Sequence, residues 1–198
     1  MNRKRITTLA MLTLLVSFIS VNGYAQQIWK NPAKYHKNGK VSVVIIKEGK
    51  KQKRAITTGY EFYYETGELR KEIKTQSDGL FICKEYYKNG QLGLIGTTKS
   101  SLVVQKVGLW KAYHKNGQLK KQVSFDNLSG EDGEVKEYFD NGILKMVGQY
   151  GPPQGKRIGV WKFYDKDGNL EKTEDYGEGR YITVIRRGSD LESEDFDL

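Results

Sequence analysis

Both histidines of this 198-residue chain lie in one repeated pentapeptide, Tyr35-His36-Lys37-Asn38-Gly39 and Tyr113-His114-Lys115-Asn116-Gly117. Two histidines invite a metal site or a general base, because imidazole ligates metals and titrates near neutral pH. Cys83, the only cysteine, is a candidate nucleophile, and Glu171 with Glu174 is a candidate acid–base pair.

The surrounding pattern gives these residues a plainer reading. Aligned on the glycine of the pentapeptide, the chain holds six copies, with turn glycines Gly39, Gly67, Gly90, Gly117, Gly142 and Gly168. A tyrosine stands four residues before each: Tyr35, Tyr63, Tyr86, Tyr113, Tyr138 and Tyr164. Val41 or a leucine (Leu69, Leu92, Leu119, Leu144, Leu170) stands two after. The position of His36 and His114 is filled elsewhere by Tyr64, Tyr87, Phe139 and Asp165, a tolerance that a catalytic base or a fixed ligand would not show. Upstream, Gly108-Leu109-Trp110 and Gly159-Val160-Trp161 recur as Gly133-Glu134-Val135, with Tyr60 and Cys83 in the tryptophan slot of two further copies. Cys83 therefore reads as a small buried hydrophobe. Glu171 and Glu174, set among lysines in strand-like sequence, read as solvated cross-strand partners. No Gly-x-Ser-x-Gly, phosphate loop, His-Glu-x-x-His or dinucleotide fingerprint is present. The expectation is a non-enzyme with no metal and no cofactor.

The repeat spells a hairpin. Asn-Gly between alternating apolar residues is a strong hairpin signal. A two-residue loop needs positive φ at both central residues, which Thr66 resists. A three-residue loop, a type I turn closed by a bulge, needs it only at the glycine and suits all six copies. It makes Tyr113 the cross-strand partner of Leu119. Period-two alternation then places Leu119, Val123 and Phe125 on the tyrosine's face and Trp110 on the other. Turns are expected at Thr97–Ser101, Asn127–Asp132 and Gly151–Gly155, and a closing strand at Arg180–Arg187.

The ends differ from the middle. Arg3, Lys4 and Arg5 precede an apolar stretch, Leu9 to Val21, and Gly23-Tyr24-Ala25 has small residues where a leader is cut. A signal peptide is expected at 1–25, with Gln26 as the new first residue; an uncleaved N-terminal anchor is the alternative. Loss of Arg3, Lys4 and Arg5 lowers the net charge from +9 to +6. Residues 189–198 carry Asp190, Glu192, Glu194, Asp195 and Asp197 and read as a disordered acidic tail. A single cysteine permits no internal disulfide. Nothing after residue 25 is apolar for long enough to span a bilayer as a helix.

Gly-x-Trp-x-x-Tyr-x-x-Asn-Gly-x-Leu, repeated every 23–28 residues, resembles the MORN repeat (membrane occupation and recognition nexus), and more closely its bacterial variant often labelled YwqK-family antitoxin. The resemblance runs from about Trp29 to Tyr176 and rests best on residues 108–125 and 159–176. It implies an all-β, elongated, twisted single-layer antiparallel sheet of six stacked hairpin units over 26–188. It also implies no catalytic residues, and association with proteins or lipid surfaces.

The expected function is an exported interaction module for a protein partner or an acidic envelope surface. Two alternatives stand beside it, a carbohydrate- or peptidoglycan-binding module and a periplasmic immunity or antitoxin-like protein. Nucleic acid fits the charge but not the location. The six motif tyrosines are candidate binding residues, with a core role as the alternative. Lys37, Lys88, Lys115 and Lys166, two before their glycines, are a candidate basic ridge, with solubility and edge protection as the alternative. The six turn glycines, Trp110 and Trp161 are structural.

Overall fold

The computed structural model describes residues 16–21, 24–49, 55–101, 105–126, 130–152, 155–177 and 184–187. The acidic tail lies outside them, as does residues 1–15 of the expected leader. The described chain is all β. Its strands are β1 (Val16–Val21), β2 (Tyr24–Tyr35), β3 (Val41–Gly49), β4 (Ile56–Tyr63), β5 (Leu69–Thr75), β6 (Phe81–Tyr86) and β7 (Leu92–Thr98). They continue as β8 (Lys106–Tyr113), β9 (Leu119–Phe125), β10 (Glu131–Tyr138), β11 (Leu144–Gly151), β12 (Lys156–Tyr164), β13 (Leu170–Asp175) and β14 (Val184–Arg187). All fourteen form one sheet in chain order, each antiparallel to its neighbours. The elongated, twisted single layer of stacked hairpins is as the repeat implied.

The six motif hairpins close as three-residue loops. In the fourth, His114 N donates to Gln118 O at 2.8 Å and Gly117 N to His114 O at 2.9 Å, the type I turn bond. All six turn glycines have positive φ, from 82° to 105°. In each unit the tyrosine pairs with the expected leucine or valine, as in Tyr35↔Val41, Tyr113↔Leu119 and Tyr164↔Leu170. The sheet also uses this turn between units. Gln76 N donates to Leu80 O, and Gly79 has φ 83°.

Behind each tyrosine the register slips by one residue. Tyr113 faces Leu119 but Ala112 faces Lys121, leaving Lys120 as a bulge. This corrects the expected faces. One extra residue moves every side chain beyond it to the other side of the sheet. Val123 therefore pairs with Trp110, and the Phe125 ring meets the Trp110 ring edge-on at 6.3 Å. Trp110 does lie opposite Tyr113, but Val123 and Phe125 join the tryptophan. The strands trim the expected turns: Thr97 and Thr98 end β7, Glu131 and Asp132 open β10, and Gly151 ends β11.

A second bulge aims the tryptophans. Gly108, Gly133 and Gly159 take positive φ (63°, 74° and 60°), and the register with the preceding unit shifts around them. The indole then lies flat over a glycine of the neighbouring strand: Trp110 over Gly96 and Trp161 over Gly148. A Cβ at either glycine would overlap the ring. Trp161 and Cys83 are wholly buried. The indole face carries two core clusters. One is Ile73, Cys83 and Trp110; the other is Val123, Val135, Met146 and Trp161. In this single layer, burial comes from aromatics lying along the sheet.

Replacing Gly148 with Ala should destabilise the fold by about 1–3 kcal/mol, the range for overpacking a filled core. A shifted urea midpoint with an unchanged slope is the expected result. Replacing Gly79, whose Cβ would meet nothing within 4 Å, should cost only the left-handed strain of about 1–2 kcal/mol.

Candidate functional site: the hairpin tips and the tyrosine face

The six motif tips line one edge of the sheet, two strands apart. In four of the six units the residue after the motif tyrosine reaches the backbone of the next unit. His36 Nε2 meets Tyr63 O at 2.9 Å, Tyr64 Oη donates to Tyr86 O, Tyr87 Oη to Tyr113 O, and His114 Nε2 meets Tyr138 O at 2.9 Å. A carbonyl only accepts, so each imidazole donates at Nε2. In these four units the slot holds a ring with a donor at its far end, supplied by histidine or tyrosine; Asp165 instead bonds within its own turn. The two histidines lie six strands apart, about 29 Å, and are not brought together. Their role is to bridge repeats.

The asparagines form a parallel ladder. Asn38, Asn89, Asn116 and Asn141 each donate from Nδ2 to a carbonyl of the next tip, at 2.6–3.1 Å. Each also accepts, at Oδ1, the amide two residues on, which fixes its own turn. Lys37, Lys88, Lys115 and Lys166 are exposed here. Glu65 and Asp140 hold the same position in units two and five. The tip edge is therefore mixed in sign.

The other side of the sheet is the tyrosine face. Its strands repeat a pattern the sequence reading missed: a lysine directly after the tryptophan slot and two before the tyrosine. These are Lys84, Lys111, Lys136 and Lys162, with Glu61 in their place in unit two. Pairing runs Lys84↔Ile95↔Lys111↔Gln122↔Lys136↔Val147↔Lys162, so the lysines share one cross-strand row. The signal lay in Trp-Lys-x-Tyr at 110–113 and 161–164.

Unit two inverts the charge. Glu61 and Glu72 are direct cross-strand partners, and both are buried. Like charges so placed repel. The pair persists because cations and hydroxyls saturate it. Lys30 holds Glu61 at 2.7 Å, Lys74 and Lys84 hold Glu72 at 2.7 and 3.3 Å, and Tyr63 Oη and Tyr86 Oη donate to the two carboxylates. Burial alone would raise the Glu72 pKa; the hydrogen bonds from Lys74, Tyr86 and Lys84 and the attraction of Lys74 outweigh it and lower it. Burial first, then the bond to Glu72 and its charge, push the Tyr86 phenol up to about 12. Tyr63 and Tyr86 are thus held by the fold, while Tyr35 is 55% exposed.

Cations also cap the indole face. Lys106 Nζ sits 5.0 Å from the Trp110 ring centroid, and the Arg157 guanidinium 4.4 Å from that of Trp161. Both precede their tryptophan by four residues. Arg157 also donates to Tyr176 Oη at 2.7 Å, and Tyr176 Oη donates to the buried Glu174 at 2.6 Å. Glu174 is thus structural; Glu171 is exposed and separate from it. Burial pushes the Cys83 thiol up, away from the reactive thiolate. Among the described residues no group of three or more His, Cys, Asp or Glu is placed to hold a metal, and no helix is long and apolar enough to cross a membrane.

Stacked hairpins with one filled face and one cation-bearing face define a repeat scaffold. Residues 106–127, 131–150 and 157–177 match the family described as MORN repeat variant. They correspond to β8–β9, β10–β11 and β12–β13, so the chain carries MORN repeats over part of its length. No curated protein matches the chain. Among solved structures it is similar to S. aureus TarM, in a mutant form complexed with fondaparinux, alpha-GlcNAc-glycerol and UDP, at 13% identity and a TM-score of 0.35. That alignment covers 51% of this chain and 19% of TarM. A second TarM structure aligns at 12% identity and a TM-score of 0.34, over 53% of this chain and 19% of that one. The chain thus spans about a fifth of TarM, and likeness at this level carries no argument about either fold or function.

Replacing His114 with Phe, the residue of unit five at that position, should cost about 1 kcal/mol, the net worth of one hydrogen bond. Lys115→Ala at the same tip should stay within about 0.5 kcal/mol of the parent. Equal losses would contradict the bridging role. Glu72 makes a separate, pH-dependent prediction. Its folded pKa is below the unfolded value of about 4.3. Its contribution is therefore complete above that value and lost as pH falls through the folded pKa. The urea-stability gap between parent and Glu72→Gln should narrow from pH 7 to pH 3; a constant gap would refute this assignment.

Proposed function

We propose that the chain is an exported, non-enzymatic scaffold that docks a partner protein or an acidic envelope surface on its tyrosine face. One observation carries the reading. The indole face is filled by its own aromatics and capped by its own cations, whereas the tyrosine face repeats Lys-x-Tyr at a fixed two-strand interval. A surface that only needed to be soluble has no use for that register. The tip edge, where Glu65 and Asp140 interrupt the lysines, suits a uniform anionic surface less well.

Export rests on the basic and apolar pattern before Ala25. In the full chain, β1 and the first residues of β2 belong to the segment that would be removed. Processed protein would then present β2, from Gln26 onward, as its outer strand.

Cells expressing the full chain would be fractionated and the protein recovered from the envelope fraction with whatever accompanies it. Its N-terminal residue should be Gln26. Tyr113, Tyr138 and Tyr164, whose hydroxyls are not committed to the buried glutamates, would be changed together to Ala, and folding checked by circular dichroism. Loss of the co-purifying material is the expected result. An unchanged set of partners would remove the tyrosine face from the proposal, and recovery from the cytosol with an intact leader would remove export.

A further inference from the structure

The tyrosine face changes character along its length. In its first half, Glu61 and Glu72 absorb Lys30, Lys74 and Lys84. Among the described residues, its second half holds no such pair. Lys111 and Lys162 have no carboxylate within ion-pairing distance in the described structure, and Lys136 is held only by the exposed Glu134, at 2.7 Å. The three lysines stand one per unit in a single row, separated by two strand spacings, about 9.6 Å. Tyr113, Tyr138 and Tyr164 form a second row beside them, two residues on. Leu109 and Val160, each 51% exposed, occupy the position two residues before the lysine. The acids here are Asp132, which shares the Leu109 row through Ser124, Glu134 and Asp175, and Asp175 already accepts the Gly177 amide.

We infer that this half of the tyrosine face, β8 to β13, is a binding site for a linear acidic polysaccharide carrying about one carboxylate per disaccharide and running across the strands. The inference deepens the docking function proposed above and rests on it. The row supplies a cation every 9.6 Å or so, and two sugar rings of an extended glycan span a similar length. Each charge of such a polymer meets a lysine without bending either partner. Tyrosine rings offer flat apolar faces and a polar tip to the C–H and hydroxyl faces of the sugars. A fluid lipid surface gains nothing from a fixed interval, and an acidic peptide carries its charges more closely spaced. Glu134 opposes the ligand, since it competes for Lys136 and adds a like charge.

The test uses the processed protein and hyaluronan oligosaccharides, which have one carboxylate per disaccharide, in calorimetric titrations. An octasaccharide, long enough to meet all three lysines, should bind at least tenfold more tightly than a tetrasaccharide. Added salt should weaken it by screening the pairs. Changing Lys111, Lys136 and Lys162 together to Ala should weaken octasaccharide binding at least tenfold. Changing Lys37, Lys88, Lys115 and Lys166 at the tips should leave it within twofold. Glu134→Gln should tighten it. No binding of the octasaccharide, or equal binding of a neutral chitin octasaccharide, overturns the inference. So does stronger lysine-dependent binding to polyglutamate or to anionic phosphatidylglycerol vesicles. If hyaluronan fails while envelope co-purification still depends on the tyrosines, docking on this face survives and only the ligand class falls. If the co-purification is also unchanged in the tyrosine variant, both fall.

Discussion

The structure depends on a one-residue slip placed behind each motif tyrosine. Without it, Tyr113, Val123 and Phe125 would share a side, and the tryptophan would have no aliphatic partner. With it, Trp110 meets Val123 and Phe125, and the tyrosine is turned to the opposite surface. The slip follows directly on the three-residue turn, so one local motif sets both the turn and the assignment of faces. Every unit repeats it, and the sheet thereby acquires two chemically distinct sides.

A single layer must find burial without a second sheet or a helix to cover it. Here the solution is for Trp110 and Trp161 to lie along the sheet, each with a glycine beneath its ring and a positive-φ glycine to aim it. A cation then closes the outer surface of the indole, Lys106 over Trp110 and Arg157 over Trp161. Long aliphatic stems add apolar cover while their charges stay wet. The tip edge contributes a different kind of cohesion. There, polar side chains of one unit satisfy carbonyls of the next, so adjacent units are joined by the two ladders as well as by strand pairing.

Much of this was legible in the sequence because the tip chemistry is local. Asn-Gly, the tyrosine four before and the leucine two after fix the loop length and the cross-strand pair without reference to any distant residue. The face assignment was not legible. A bulge consumes a residue without marking it: the residue at that position is Lys120 in one unit, Gly93 in another and Arg70 in a third. The histidines were misleading for a related reason. Their slot tolerates Tyr, Phe and Asp, and their bond to the next unit's tyrosine carbonyl involves a backbone atom and leaves no partner residue type to find. The turn at Gln76–Leu80 was missed because it joins units and has no tyrosine ahead of it.

The lysine row was visible in Trp-Lys-x-Tyr, yet its meaning depended on the slip. Only once the faces are known do Lys84, Lys111, Lys136 and Lys162 fall into one line, and only then does Glu61 stand out as the exception. That exception is informative. A uniform cationic stripe across all units would be a long-range field, useful for solubility or steering. Glu61 and Glu72 instead draw in the cations around them and neutralise one half of the face, at the cost of burying two carboxylates side by side. The second half retains Lys111 and Lys162 without such partners. On this face, Lys111 and Lys162 therefore lie in the stretch whose units match the MORN repeat variant. If the proposed docking holds, recognition falls in that bounded segment of the array, and the neutralised first units are its base.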